Sequence, residues 1–336
     1  MLGRQVSVAL PEEAEKIAED IRSMRIRGAG HIASSAAEAL RIVAENSKAM
    51  SVDDFLKELD DSAHILLQTR PTAVSLPNAV RYVMHRVNEK KSEASSMKEV
   101  QTIAGHAASE FIENTRTALE RIGEIGARRI RDGDVLLTHC NSSAAISVMK
   151  TAWNQGKRFE VMATETRPRF QGRITAQELA KEGIPVTIIL DDAIRYFMQD
   201  VDKVIVGADA VTANGALINK IGTSVVALAA HEAKVRVFVA AETYKFSPET
   251  MVGELVKIEE RDATEVIPKA ELERLGTVKV RNPAFDVTPP EFIDLIITER
   301  GIIPPLGALL ILEDVLGVIT PEELRDYQTY TLVEDA

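Results

Sequence analysis

A change of texture at Asp134 constrains this chain more than any other feature. Before it, strand signals are nearly absent. After it, short β-rich runs alternate with helical stretches: Val135–Thr138, Arg158–Met162, Val186–Leu190, Lys203–Val206 and Val235–Val239. Alternation of this kind means a parallel sheet. Residues 11 to about 131 read as helical instead. Pro11-Glu12-Glu13 starts a helix, and Ile17, Ile21 and Met24 follow at helical spacing. Ser51 caps a second helix, with acidic Asp54 at its third position ahead of Phe55, Leu56 and Leu59. Residues 98–131 form one long helix, and the join between helical and sheet domains falls near 125–133.

The 336 residues suffice for about two domains of ~150 residues each. A content of 45% hydrophobic and 27% charged residues excludes a mostly disordered chain. One cysteine makes no internal disulfide, and the Met1-Leu2-Gly3-Arg4 start lacks the apolar core of a signal peptide, so a cytoplasmic protein is expected. The apolar stretch 301–319 contains Pro304, Pro305, Glu313 and Asp314, which argues against a membrane span. A net charge of -11 disfavours nucleic acid as a partner. A small phosphorylated ligand is a different matter, because a few cations and backbone N–H groups in one cleft hold it against the overall field.

In a parallel α/β sheet, ligands bind outside the carboxyl ends of the strands. Each expected strand delivers polar groups there. The first ends in Cys140-Asn141-Ser142-Ser143, where a helix N-terminus favours thiolate, and the second in Thr164-Glu165-Thr166-Arg167-Pro168. The third ends in Asp191-Asp192, the fourth in Gly207-Ala208-Asp209 and the fifth in Glu242-Thr243-Tyr244-Lys245. Taken singly, each is equally well a helix cap or a solvated turn, and a free cysteine is most often a small buried hydrophobe. Convergence of five favours a site.

Two segments suit phosphate. After the Asn214-Gly215 turn, Lys220 supplies a point charge and the N–H groups of Gly222 to Ser224 open a helix. Arg25-Ile26-Arg27-Gly28-Ala29-Gly30 places glycines and guanidinium groups ahead of the helix 31–44. Arg70, Arg167, Arg169 and Arg173 add cations, for which plain surface solvation is the competing reading. There is no GxxxxGK[ST], no GxGxxG after a strand, no HExxH and no CxxC, so nucleotide hydrolysis, nicotinamide redox and zinc chemistry lose support, and no cofactor or metal is expected. An aldose-to-ketose shift needs a base beside a carbonyl, an acid for the oxygen and a water-poor cleft that stabilises an enediolate; Cys140 and Asp209 fit those two roles.

The strings Arg25–Gly30, Leu137–Ser143, Glu165–Gly172, Val206–Val211, Asn214-Gly215, Asn219–Thr223 and Ala241–Phe246 resemble the superfamily of initiation factor 2B regulatory subunits and sugar-phosphate isomerases, over residues 20 to about 310. Within it the similarity is to the archaeal ribose-1,5-bisphosphate isomerases, which supply ribulose 1,5-bisphosphate to Rubisco in nucleotide salvage. The resemblance implies an α/β chain with an N-terminal α-helical domain, 1–130, followed by a Rossmann-like catalytic domain with a parallel sheet, 131–336. It implies a homo-oligomer, a hexamer arranged as a trimer of dimers. It makes Cys140 the base and Asp209 the acid, and puts Arg27, Gly28, Ala29, Gly30, Arg70, Asn141, Ser142, Ser143, Asn219, Lys220 and Lys245 around a phosphorylated sugar; to these the reading of the loop near Pro168 adds Arg167 and Gln171 as further phosphate or hydroxyl contacts. Two alternatives stay open. Methylthioribose-1-phosphate isomerases have proline where this chain has Gly30, and Ala-Gly where it has Ser142-Ser143. Non-catalytic regulatory subunits usually lack the thiol and tend to carry glutamate in place of Asp209.

Overall fold

The structure, a computed structural model, describes residues 9–70, 73–252 and 256–316. Two compact units divide between Thr117 and Ala118. The first consists of helices α1 (Glu12–Arg22), α2 (Ala29–Asn46), α3 (Val52–Thr69), α4 (Ser75–Lys90) and the start of α5 (Met97–Ala127). Their apolar stripes meet in a core that includes Ile21, Leu40, Phe55, Leu59, Leu66, Leu76 and Val83. Ser51 caps α3 by accepting from the Asp54 N–H at 3.1 Å.

The division falls inside α5, well before the first strand at Val135. The last turns of that helix carry Leu119, Ile122, Ile125 and Ala127, which pack in the core of the second unit. The texture change at Asp134 marks where strands start, not where the chain changes packing partners.

The second unit follows with β1 (Val135–Thr138), α6 (Ser143–Asn154), β2 (Glu160–Thr164), α7 (Gln171–Lys181), β3 (Val186–Ile189), α8 (Ile194–Phe197), β4 (Lys203–Val206), β5 (Ala210–Thr212), β6 (Leu217–Lys220), α9 (Thr223–Ala233) and β7 (Arg236–Ala240). Then come β8 (Phe246–Ser247), α10 (Lys269–Arg274), β9 (Phe285–Thr288), β10 (Leu295–Thr298), β11 (Gly301–Ile303) and α11 (Ala308–Leu316). Within the described residues, seven strands form a sheet in the order β11-β10-β7-β4-β1-β2-β3, parallel except for β10 with β11. From β1 the chain winds outward through β2 and β3, then returns to lay β4, β7 and β10 on the other side. The reversal lies between β1 and β4, and in an open α/β sheet that crevice is where ligands bind.

Alternate strand residues feed opposite faces. Leu137, Val204, Val206, Val237, Val239 and Ile296 pack in one core with α9 and α11, while Leu136, Ile205, Phe238, Ala240 and Ile297 pack in the other with α6. That double burial explains why the strands read as nearly unbroken apolar runs. A second sheet, β8-β5-β6-β9, grows directly from the end of β4. Its β5–β6 hairpin turns at Asn214-Gly215, with Gly215 at φ 82° and Asn214 Oδ1 accepting from Ala216 N at 3.2 Å. Among the described residues, no helix is long and apolar enough to cross a membrane.

Candidate active site

The ends of β1 and β4 touch. A Cβ added at Gly207 would lie 2.1 Å from Ser142 Oγ and 2.4 Å from Ser142 Cβ, so only glycine lets the loop after β4 approach the loop after β1 this closely. Cys140 and Asp209, the residues expected as base and acid, leave these two strands on either side of the switch point. Both are partly exposed, so neither is sealed in the core.

Cys140 sits at φ 70°, a left-handed conformation that costs a non-glycine residue about 1–3 kcal/mol and needs support from its surroundings. The support is a hydrogen-bonded frame. Cys140 N donates to Thr166 Oγ1 at 2.9 Å, and Thr175 Oγ1 donates to Cys140 O at 2.8 Å. Asn141 Nδ2 donates to the same threonine hydroxyl at 3.0 Å. Thr166, itself at φ 60°, is held by Asp191, whose carboxylate accepts from Thr166 N at 2.8 Å and Arg167 N at 2.7 Å. Buried His139 completes the frame. Its Nε2 lies 2.8 Å from Ile221 O and its Nδ1 2.6 Å from Thr164 Oγ1. A carbonyl only accepts, so Nε2 carries the proton and Nδ1 accepts from Thr164. Burial holds this imidazole below its ordinary pKa, which fits the neutral tautomer.

The electrostatics of the thiol differ from the sequence expectation. Burial pushes Cys140 up to about 11, and the Asp209 carboxylate adds to the rise. Lys220, the Asn141 backbone and Arg261 pull in the opposite direction. The helix N-terminus alone does not produce a resting thiolate. Lys220 is lowered, first by its own burial, while Cys140, Asp209 and Glu259 act to hold its charge. Thiol, carboxylate and ammonium therefore form one interacting group.

The expected anion site at Gly222 to Ser224 needs correction. The carboxylate of Asp286, on β9, accepts from Gly222 N at 2.7 Å and from Ser224 N at 3.1 Å, so the chain caps this helix with an acid of its own. Burial raises Asp286 to about 6 in spite of these donors. Gly222, at φ 102°, also lets the loop lie against His139: a Cβ there would be 3.0 Å from the imidazole.

The cations near Pro168 are committed as well. Arg169 pairs with Glu265, Arg173 with Glu165 at 2.8 Å, and Arg167 Nη2 donates to Val266 O at 3.1 Å. Lys245 is buried against Glu242 at 2.7 Å. Gln171 Oε1 is buried with no hydrogen-bond partner among the described residues. Ser142 caps α6 by accepting from Ala145 N at 3.3 Å, and Asn219 Nδ2 donates to Thr223 Oγ1 at 3.0 Å. Asn141 and Ser143 are exposed beside the thiol.

Arg27, Gly28, Ala29, Gly30 and Arg70 belong to the first unit. Arg27 Nε donates to Met24 O at 2.8 Å, Gly28 caps α2 at φ 84° with open space where a side chain would stand, and Arg70 ends α3. Ser75 Oγ donates to Ala29 O at 2.8 Å, which fixes the start of α2.

Arg261 and Phe285 escaped the sequence reading. Arg261 stands in a charge run, Glu259-Glu260-Arg261-Asp262, that reads as a solvated loop, and only strand pairing brings it inward. Phe285 is cross-strand neighbour to Lys220, with Lys220 Nζ 5.3 Å and Arg261 Cζ 6.0 Å from its ring centre.

Comparison with known proteins agrees with this architecture. Residues 25–305 match the initiation factor 2 subunit family. The ribose 1,5-bisphosphate isomerase of Thermococcus kodakarensis is 58% identical over 311 residues, covering 92% of this chain and 97% of that protein. The translation initiation factor eIF-2B of Pyrococcus horikoshii superposes with a TM-score of 0.74 at 35% identity, over 88% of this chain and 98% of that one. The 5-methylthioribose 1-phosphate isomerase of the same organism gives 0.72 at 32% identity, over 91% and 88%. With that match and the switch-point fold in agreement, the chain belongs to the initiation factor 2 subunit family and is similar within it to proteins named ribose 1,5-bisphosphate isomerase.

Proposed function

We propose that this protein is an aldose–ketose isomerase that converts ribose 1,5-bisphosphate to ribulose 1,5-bisphosphate through an enediolate, in nucleotide salvage that feeds Rubisco. The observation that carries the reading is a thiol and a carboxylate delivered from the two strands of the switch point, with the buried Lys220 ammonium interacting with both. The high identity to relatives of that name selects the substrate.

In this reaction Asp209 gives a proton to the ring oxygen as the C1–O bond opens, and Cys140 removes hydrogen from C2. The released pair forms the C1–C2 double bond. Cys140 returns its proton to C1 while the C2 hydroxyl gives its own to the Asp209 carboxylate, so the C2 oxygen becomes a carbonyl and both groups regain their starting forms. A thiol near 11 is ionised in only about one molecule in ten thousand at pH 7, so a free thiolate is not the resting form. One proton passed from thiol to carboxylate creates the base and the acid together. Lys220 stabilises that form by facing the new thiolate.

Asn141, Ser142, Ser143, Asn219, Lys220 and Lys245 then contact substrate from the second unit. Arg27, Gly28, Ala29, Gly30 and Arg70 are proposed as further substrate contacts on the strength of the resemblance. A division of labour between a helical part, 1–130, and a catalytic part, 131–336, and assembly as a hexamer, belong to the same proposal.

Incubation with ribose 1,5-bisphosphate and, separately, methylthioribose 1-phosphate tests it, with the ketose product identified by NMR. Turnover of the bisphosphate is expected, with Cys140→Ser and Asp209→Asn abolishing it while substrate still binds. Turnover of the thio-sugar alone refutes the substrate. Turnover of neither refutes the isomerase.

A further inference from the structure

We propose that Arg261 is a phosphate ligand of this site, placed with Lys220 around the ring of Phe285 so that the two cations grip one phosphate group. The inference rests on the isomerase reading for the identity of the phosphate's owner, and on this structure for the site.

Two enclosed cations here have fewer direct partners among the described residues than their hydrogen-bonding groups can take. Lys220 is 5% exposed, yet its Nζ makes no hydrogen bond or ion pair with a described residue; its neighbour is the Phe285 ring. The Arg261 side chain is 11% exposed and touches one carboxylate through one atom, Nε to Glu259 Oε1 at 3.2 Å. Nη1 and Nη2 of Arg261 have no hydrogen-bond partner among the described residues. A guanidinium removed from water is stabilised when its fork meets a planar or tetrahedral anion through several N–H groups. The other cations around this edge have their partners: Arg169, Arg173 and Lys245 each face a carboxylate.

The position is built into the backbone. Arg261 N donates to Asn282 O at 2.9 Å and Ala284 N donates to Glu259 O at 2.8 Å, with Glu260 bridged to Pro283. The segment carrying Arg261 is thus tied to the strand entering β9, one pairing away from Lys220 on β6. A substrate phosphate at this place would raise the Cys140 thiol further if it came alone. Two cations that arrive before it offset that effect, which gives Arg261 a purpose beyond affinity.

The test is thermal unfolding of the full chain in increasing inorganic phosphate, alongside steady-state kinetics. Phosphate is expected to raise Tm of the native protein, and Arg261→Gln to remove that increment. Loss of the charge-assisted bonds is expected to raise KM by about ten- to a hundredfold with a much smaller change in kcat, and Arg261→Lys to restore part of it. An Arg261→Gln protein with native KM and native phosphate response overturns the assignment. If Arg261→Gln does not fold, Arg261→Lys decides: a weakened phosphate response supports the site and a native one refutes it. Should the native protein fail to isomerise ribose 1,5-bisphosphate while Arg261→Gln still abolishes the phosphate response, the isomerase reading falls and the anion site stands.

Discussion

Replacing Gly207 by alanine tests whether contact between the two strand ends sets the reactive geometry. The new Cβ would stand 2.4 Å from Ser142 Cβ, against about 3.4 Å for ordinary contact, so one loop must retreat by about 1 Å. Rotating the Ser142 hydroxyl relieves the 2.1 Å contact with Oγ but not this one. Cys140 lies two residues from Ser142 and Asp209 two from Gly207, so the displacement falls on the reacting pair. Misplacement of that size costs roughly a hundredfold in rate. Overpacking at a tight position costs about 1–3 kcal/mol of stability. Kinetics and chemical denaturation of Gly207→Ala would read both. The control is the double variant with Ser142→Gly, which removes the opposing Cβ and weakens the α6 cap by only a few tenths of a kcal/mol. A favourable coupling of about 0.5–3 kcal/mol between the two changes is expected. Native kcat in Gly207→Ala, or a double variant as damaged as the sum of the singles, would refute the reasoning.

Three more outcomes follow from the same geometry. Alkylation of Cys140 by a neutral reagent should accelerate with pH through about 11, and Lys220→Met should push the midpoint higher; a midpoint near 8 contradicts the raised thiol. Asp286 is raised in the folded state to about 6, so the folded protein binds more protons than the unfolded chain between the ordinary carboxylate range and that value, and stability should fall as pH rises through this window. Asp286→Asn should lack that slope, and an unchanged slope in urea titrations of the variant rules the assignment out. Arg173→Ala should leave KM unchanged and cost about 1 kcal/mol, because Arg173 itself is more than half exposed in its pair with Glu165; a large KM rise would return Arg173 to the substrate site.

Five strands of the parallel sheet were legible in the chain, with β1 and β4 located to the residue and the others shifted by no more than two positions. Their apolar runs are bounded by turn residues, which is a local signal. Leu295-Ile296-Ile297-Thr298 carries the same signal and becomes β10, a strand the reading passed over. The small second sheet was less accessible. Its strands have two to four residues, and pairing of β6 with β9 joins residues 65 or more positions apart, so neither segment alone specifies it. Phe285 therefore gave no hint of facing Lys220, and Arg261 none of facing inward. Arg169 and Arg173 failed in the opposite sense. Cations beside a conspicuous proline suggested a ligand, but Glu265 and Glu165 take them up once the chain is folded.

Residue types and order alone determined the parallel sheet, the thiol and carboxylate at its strand ends, and the family to which they point, because these depend on local periodicity and short strings. Tertiary structure decided which charges remain unpaired, how far burial moves the Cys140 thiol, and that Asp286 occupies the helix end meant for an outside anion. Those properties arise from desolvation and from pairing between distant segments, and neither exists until the chain has closed on itself.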